Sequence, residues 1–265
     1  MCVLFLAWRV HPEYPVILAA NRDEFHARPA RPAAPWLQSP NVVGGLDLSG
    51  GGSWLAAAAS GRFAVITNYR EPGQHLRGAP SRGALVADYV AGERDAADYA
   101  QAVGPALMRY NGFNLLLADT QQLVYVSNRR DPPCQTLGSG VYGLSNGLLD
   151  SPWPKVRQGR ERFAEVAQIK PDPARLLALL YDKEPAADAE LPDTGIGRQW
   201  ERVLSALFIQ TPEYGTRSST VLMIRRNRDI YLLERSYDPA GQPILDQHWR
   251  CHAGVWQHGD AEEAS

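Results

Sequence analysis

Cys2 offers more chemistry than any other residue in the first strand of this chain. It follows the initiator methionine and opens the apolar run Val3-Leu4-Phe5-Leu6-Ala7-Trp8. A small second residue permits methionine removal, which would leave a free amine beside the Cys2 thiol. A thiol titrates near ~8.5 and an α-amine near ~8, so that amine can take the thiol proton around neutral pH. A plain role fits the same residue, because free cysteine also packs as a small buried hydrophobe. Chemistry at such a thiol needs a carboxylate to hold the ammonium, amide donors for an oxyanion, and a cation for thiolate or substrate. Asp23, Asn68, Asn146 and Arg217 supply one set of these groups, each at the end of a predicted strand or in the turn beside it. Asn21, Arg22 and Glu24 flank the aspartate and Tyr69 follows the first asparagine, so these four are candidates for binding substrate.

Other clusters carry less. His248, Cys251, His252 and His258 could be read as metal ligands, with His248 and His252 on one helix face, but Trp249-Arg250 and Trp256 read equally as a strand covering the core. A structural zinc site needs four ligands in fixed geometry, so a structural role is preferred and no metal is expected. Cys134, between Pro133 and Gln135, reads as a loop thiol. Gly50-Gly51-Gly52 has no Lys-Ser/Thr after it and no helix opening behind it, which excludes a phosphate-binding loop.

The elements that must position these residues follow from pattern. Val3–Trp8 and Val16–Ala20 read as a hairpin around a Pro-containing turn, returning Asn21–Glu24 towards Cys2 as a polar turn. Prolines at 29, 32, 35 and 40 predict an irregular loop over 27–43. Strands are expected at 53–58 and 62–67, then 115–118 and 123–127, then 141–144, and finally 221–224 and 230–234. Helices are expected at 81–90, 95–108, 154–167, 173–181 and 199–207, with an acidic excursion over 184–197. Strand pairs bracketing central helices point to an α+β class with mostly antiparallel sheet. One domain over 1–258 and a frayed tail over 259–265 are expected.

Composition narrows the function classes. The chain has 265 residues, 45% hydrophobic and 21% charged, with formal net charge −2, so no overall field recruits nucleic acid or an anionic membrane. Three lysines stand against a large excess of arginine, a bias ascribed to a GC-rich genome. Three scattered cysteines without CxxC argue for a reducing, cytoplasmic setting, and no run is long enough to span a membrane.

The motifs in order resemble the NRDE family, also called the Transport and Golgi organisation protein 2 family. They are Met1-Cys2, Leu18-Ala19-Ala20-Asn21-Arg22-Asp23-Glu24-Phe25 with Arg28-Pro29, Gly51-Gly52-Ser53-Trp54-Leu55, Thr67-Asn68-Tyr69 and Arg82-Gly83. They continue with Tyr110-Asn111-Gly112-Phe113-Asn114-Leu115, Tyr142-Gly143-Leu144-Ser145-Asn146, Pro152-Trp153, Tyr214-Gly215-Thr216-Arg217 and Glu234-Arg235-Ser236. Ala56 stands where glycine is expected. The family resembles in turn the choloylglycine hydrolase and penicillin V acylase group, which implies a four-layer αββα sandwich of N-terminal nucleophile (Ntn) hydrolase type. That resemblance implies Cys2 as nucleophile, Asp23 in contact with it, Asn68 through its backbone N–H and Asn146 at the oxyanion, and Arg217 bracing the site. It implies an acyl amide or thioester as substrate, with no cofactor for hydrolysis. Animal members of the family imply an alternative, a carrier of haem or acyl-CoA without turnover. The hydrolases carry an arginine where this chain has Ala20, and Arg22 is expected to arrive from a different direction.

Overall fold

The computed structural model describes residues 2–259, in two seven-stranded antiparallel sheets. The expected tail over 259–265 lies, Gly259 apart, outside the described residues. In chain order the first sheet contains β1 (Cys2–Trp8), β2 (Val16–Phe25), β10 (Gly140–Leu144), β11 (Tyr214–Ile224), β12 (Ile230–Tyr237), β13 (Pro243–His252) and β14 (Val255–His258). Its strands lie in the order β10-β1-β2-β11-β12-β13-β14. The second sheet runs in sequence order: β3 (Ala30–Trp36), β4 (Ser39–Asp47), β5 (Leu55–Ala58), β6 (Phe63–Asn68), β7 (Phe113–Ala118), β8 (Leu123–Ser127) and β9 (Cys134–Leu137).

The first hairpin forms as expected, with Cys2 opposite Arg22 and Trp8 opposite Val16. However, β2 does not stop at Ala20. Asn21–Glu24 continue the strand instead of forming an exposed turn, because β11 pairs along the other side of β2 as far as Phe25. The β1 ladder reaches Arg22 and the β11 ladder carries on to Phe25, so polar side chains do not end the strand.

The proline-rich stretch is corrected as well: two strands, β3 and β4, run through most of 27–43. Pro32 and Pro35 are tolerated because β3 is the outermost strand of its sheet, where a missing N–H breaks no second ladder. Cys134 begins β9, the opposite edge, and is not in a loop. The helix expected over 95–108 is α2 (Ala96–Val103) followed by a 3-10 turn over 104–109, where Gly104-Pro105 tightens the chain. The first helix, α1 (Gly83–Ala91), begins two residues later than predicted. On the other side stand α3 (Pro154–Ile169), α4 (Pro173–Leu180) and the short α5 (Arg198–Val203), which ends before the expected 207. His248 and His252 lie on β13, so the helical alternative for that stretch is excluded.

Alternation of side chains builds four layers. Leu4, Leu6 and Leu18 of the first sheet meet Val43, Phe63, Leu116 and Tyr125 of the second between the sheets. Their neighbours Val3, Phe5, Ile17 and Ala19 face outward onto Phe163, Leu176 and Leu180 of α3 and α4. On the far side Val86, Tyr89 and Ala100 of α1 and α2 cover Ala64 and Leu115. The result is the αββα sandwich. Each buried Leu or Phe contributes roughly 1.5–3 kcal/mol, so three apolar layers fix the stack. One close approach sets the height of α3: a Cβ on Gly159 would lie 2.2 Å from the Phe5 ring, so only glycine lets α3 settle on β1. No helix among the described residues is long and apolar enough to cross a membrane.

Candidate active site

Cys2, Arg22, Asp23, Glu24 and Asn68 come together at one end of the sandwich. There they line a cavity of about 380 Å³ with Arg28, Asp47, Trp54, His75, Arg82 and the Gly50–Gly51 backbone. Hydrogen bonds join the two sheets at this end. Ser145 Oγ donates to the Cys2 carbonyl at 2.8 Å and Thr67 Oγ1 donates to the Ser145 carbonyl at 2.7 Å. Asn146 Nδ2 donates to the Asn68 carbonyl at 2.8 Å, and the Arg70 N–H donates to the Asn146 carbonyl at 2.7 Å. Asn146 therefore ties β10 to β6 directly behind the nucleophile. It is fully buried and does not line the cavity.

The first strand residues divide by face. Leu4 points between the sheets and Val3 points outward, which puts Cys2 on the inter-sheet face. Ala20, Arg22 and Glu24 share that face of β2. Arg22 is thus two residues from Ala20 on the same side, directly across from Cys2, and not on a different bearing. Its guanidinium stacks on Trp54 at 4.3 Å and stands 3.7 Å from Asp47, and it makes no hydrogen bond among the described residues. Asp47 is held more closely by Arg28 at 2.8 Å, and Glu24 stands 3.7 Å from Arg28.

Asn21 and Asp23 belong to the opposite face. Asn21 Nδ2 donates to the carbonyls of Leu180 and Leu207 at 2.8 and 2.9 Å, and its Oδ1 accepts from Ser219 at 2.6 Å. These bonds anchor α4 to the sheet. Asp23 accepts from Thr216 Oγ1 at 2.7 Å and is 1% exposed. Burial pushes the Asp23 carboxyl up, opposed first by the N-terminal ammonium and then by the Lys155 ammonium, the Thr216 hydroxyl and Arg22. Burial also pushes the Cys2 thiol up, with Asp23 adding to the rise while the Asp23 N–H and Arg22 pull it down.

Two expected residues sit elsewhere. Arg217, at a bulge in β11, donates through Nη1 to the carbonyls of Phe25, His26 and Arg28 at 3.0, 2.9 and 3.3 Å, and so braces the turn after β2 from outside the cavity. Tyr69 pairs its backbone with Gly112 beyond the cavity rim. Histidines and cysteines near the C-terminus have separate partners: His248 meets Tyr231 at 3.0 Å, Cys251 faces the Ala59 carbonyl, and His252 pairs with Asp229 at 2.8 Å.

Sequence reasoning missed Lys155, Arg82 and the Arg70–Glu201 pair. Arg82 donates to the Gly112 carbonyl at 2.9 Å while its charge faces Cys2 and Glu24. Arg70 and Glu201 form a buried ion pair at 2.8 Å. Lys155 had a usable signal, as one of three lysines in a chain that otherwise chooses arginine.

Two antiparallel sheets between helix layers give the chain an Ntn-hydrolase fold, with cysteine as the first residue of β1. Among solved structures the chain is similar to a Caenorhabditis elegans N-acylethanolamine-hydrolyzing acid amidase (NAAA) ortholog, with a TM-score of 0.50 over 83% of this chain and 92% of that one. Identity there is 9%, so the likeness is one of fold. The chain belongs to the Transport and Golgi organisation 2 family, whose model matches residues 1–239. It is 37% identical over 261 residues to the Bos taurus Transport and Golgi organization protein 2 homolog, covering 89% of this chain and 93% of the relative. The Homo sapiens homolog is 35% identical with the same coverage, and the Drosophila melanogaster protein is 31% identical over 91% of this chain and 95% of its own.

Proposed function

We propose that this protein is a cysteine Ntn-hydrolase acting on an acyl amide or thioester. The observation that carries this reading is Cys2 at the first position of β1, opening on the cavity with the buried Asp23 beside it. Once Met1 is removed, the freed α-amine takes the thiol proton and Sγ attacks the acyl carbonyl carbon. A C–S bond forms and the carbonyl π electrons move to oxygen, where the N–H at Asn68 would stabilise the oxyanion. The intermediate collapses, the C–N or C–S bond to the leaving group breaks, and the new ammonium returns the proton to that group. Water then attacks the acyl-thioester and restores the thiol. Asp23 holds the ammonium in place throughout, and no cofactor is needed. Intact-mass measurement is expected to find Met1 absent and one covalent thioether adduct on Cys2, formed with loss of chloride, after treatment with an acyl chloromethyl ketone. Cys2→Ala is expected to lower hydrolysis about a thousandfold. Equal hydrolysis by Cys2→Ala would overturn the reading.

Arg22 favours a second reading. Its guanidinium faces the cavity with its hydrogen-bonding capacity unfilled, as a carrier of a carboxylate- or phosphate-bearing ligand such as haem or acyl-CoA requires. Haem titration with a Soret shift, or acyl-CoA binding by calorimetry, each lost in Arg22→Gln and kept in Cys2→Ala, would support the carrier. Undiminished binding by Arg22→Gln would sink it.

A further inference from the structure

Lys155 carries a buried charge: the residue is 5% exposed, and its Nζ has no hydrogen-bond partner among the described residues. It occupies the first turn of α3, directly after Pro154, where the positive end of the helix dipole opposes a cation. Nothing in the packing asks for a charge there. Val156, the next residue, already seats α3 against Gly143 of β10, and Gly159 seats it against Phe5 of β1. An aliphatic side chain would fill the position without desolvation, lost hydrogen bonds or an unfavourable dipole. A burial that weakens the fold in three ways is the mark of a group kept for its charge.

The titratable groups that act on that charge are Asp23 of β2, Cys2 of β1, Glu201 of α5 and Arg70 in the loop after β6. Glu201 is already engaged, accepting from Arg70 at 2.8 Å and from Thr194 N–H and Oγ1 at 2.6 Å. Asp23 is the carboxylate that most strongly favours the ammonium, and burial by itself drives each of the two towards its neutral form. Arg70, the cation that opposes the Lys155 charge, is tied to Glu201 and stacked on Trp153 at 4.7 Å.

We propose that Lys155 is a positioning residue of the Cys2 site, its ammonium keeping the buried Asp23 carboxylate ionised so that the carboxylate can hold the amine of Cys2. The proposal rests on the hydrolase reading for its purpose, though not for its test. An ionised Asp23 orients the ammonium formed when the Cys2 amine accepts the thiol proton. A neutral Asp23 loses that grip, so Lys155 acts on the reaction through Asp23 and touches no reacting atom. Burial, acting against the pull of Asp23, brings the Lys155 ammonium down to about 8, so the arrangement holds below that pH and dissolves above it.

Carbon-13 NMR titration of the Asp23 carboxyl, identified by its loss in Asp23→Asn, reads this coupling without substrate. Lys155→Met is expected to raise the carboxyl midpoint by at least about one pH unit, a tenfold change in its ionisation constant. Lys155→Arg, which keeps the charge, is expected to restore most of it. Lys155→Gln serves as a second neutral variant if Lys155→Met does not fold. An Asp23 midpoint unchanged in either neutral variant overturns the proposal, because a lysine that merely fills space would leave it unmoved. The hydrolase reading fails separately, by hydrolysis that survives Cys2→Ala.

Discussion

The two faces of β2 do different work within five residues. Ala20, Arg22 and Glu24 face the space between the sheets, where the apolar core gives out and the cavity begins. Asn21 faces the helices, buried against protein, while Asp23 on that same side also reaches the cavity wall at the strand's end. On the first face the charges are loosely held: Arg22 has a π-face and an ion-pair partner at 3.7 Å. On the second the polar groups are held closely, with Asn21 making three hydrogen bonds of 2.9 Å or less. The contrast teaches that a run of polar residues in a strand is two sets interleaved, with Arg22 and Glu24 open to a ligand, Asn21 committed to the fold and Asp23 serving both. Pleating makes the division, since alternate side chains cannot share an environment.

Breaking the fold-committed set should have the largest effect on stability. Asn21→Ala strands the carbonyls of Leu180 and Leu207 and the Ser219 hydroxyl, and is expected to lower the unfolding free energy by about 3 kcal/mol in urea denaturation. If Asn21 contacts substrate instead, the loss will appear in KM with stability intact.

Lys155→Met should go the other way. Its ammonium titrates near 8 in the folded chain against 10.5 when unfolded. Between those values the unfolded chain holds the proton and the folded one does not, so this group makes the native chain more stable as pH rises from about 8 to 10.5. Below that window the burial penalty is fully present. Lys155→Met is expected to remove the rise and to stabilise the protein at pH 7 by about 2 kcal/mol, while slowing any reaction at Cys2. Thermal melts at pH 7 and pH 10 check this, and a variant that melts lower at pH 7 contradicts it.

Arg22→Gln, on the loosely held face, should move stability least. Losing the stacking on Trp54 is expected to change the unfolding free energy by about 1 kcal/mol or less. Ligand affinity should fall instead, and a large drop in melting temperature without any binding change would reverse the assignment of the two faces.

Much of this could be read in the residues. The β1–β2 hairpin, the pairing of β5 with β6 and of β7 with β8, and helices starting at Pro154 and Pro173 follow from apolar runs and proline placement. What misled was local chemistry overruled by position in a sheet. Prolines in β3 are harmless at an edge, and Asn21–Glu24 are strand because β11 pairs beyond them. Cys2, Asp23 and Asn68 reach one cavity as their motifs suggest, whereas Arg217 and Asn146 serve the frame around it.

By itself the sequence determined the family, the antiparallel class and Cys2 as the centre of interest, because these depend on residue order and on apolar spacing. Only the tertiary structure decided which charges surround Cys2. Arg82 precedes it in space from a loop 80 residues on, and Lys155 comes from a helix packed on the far face of β1. Electrostatic neighbours are set by which strand ends and helix starts meet when the four layers close. No spacing in the chain encodes that meeting, and so the charge pattern around the thiol belongs to the fold.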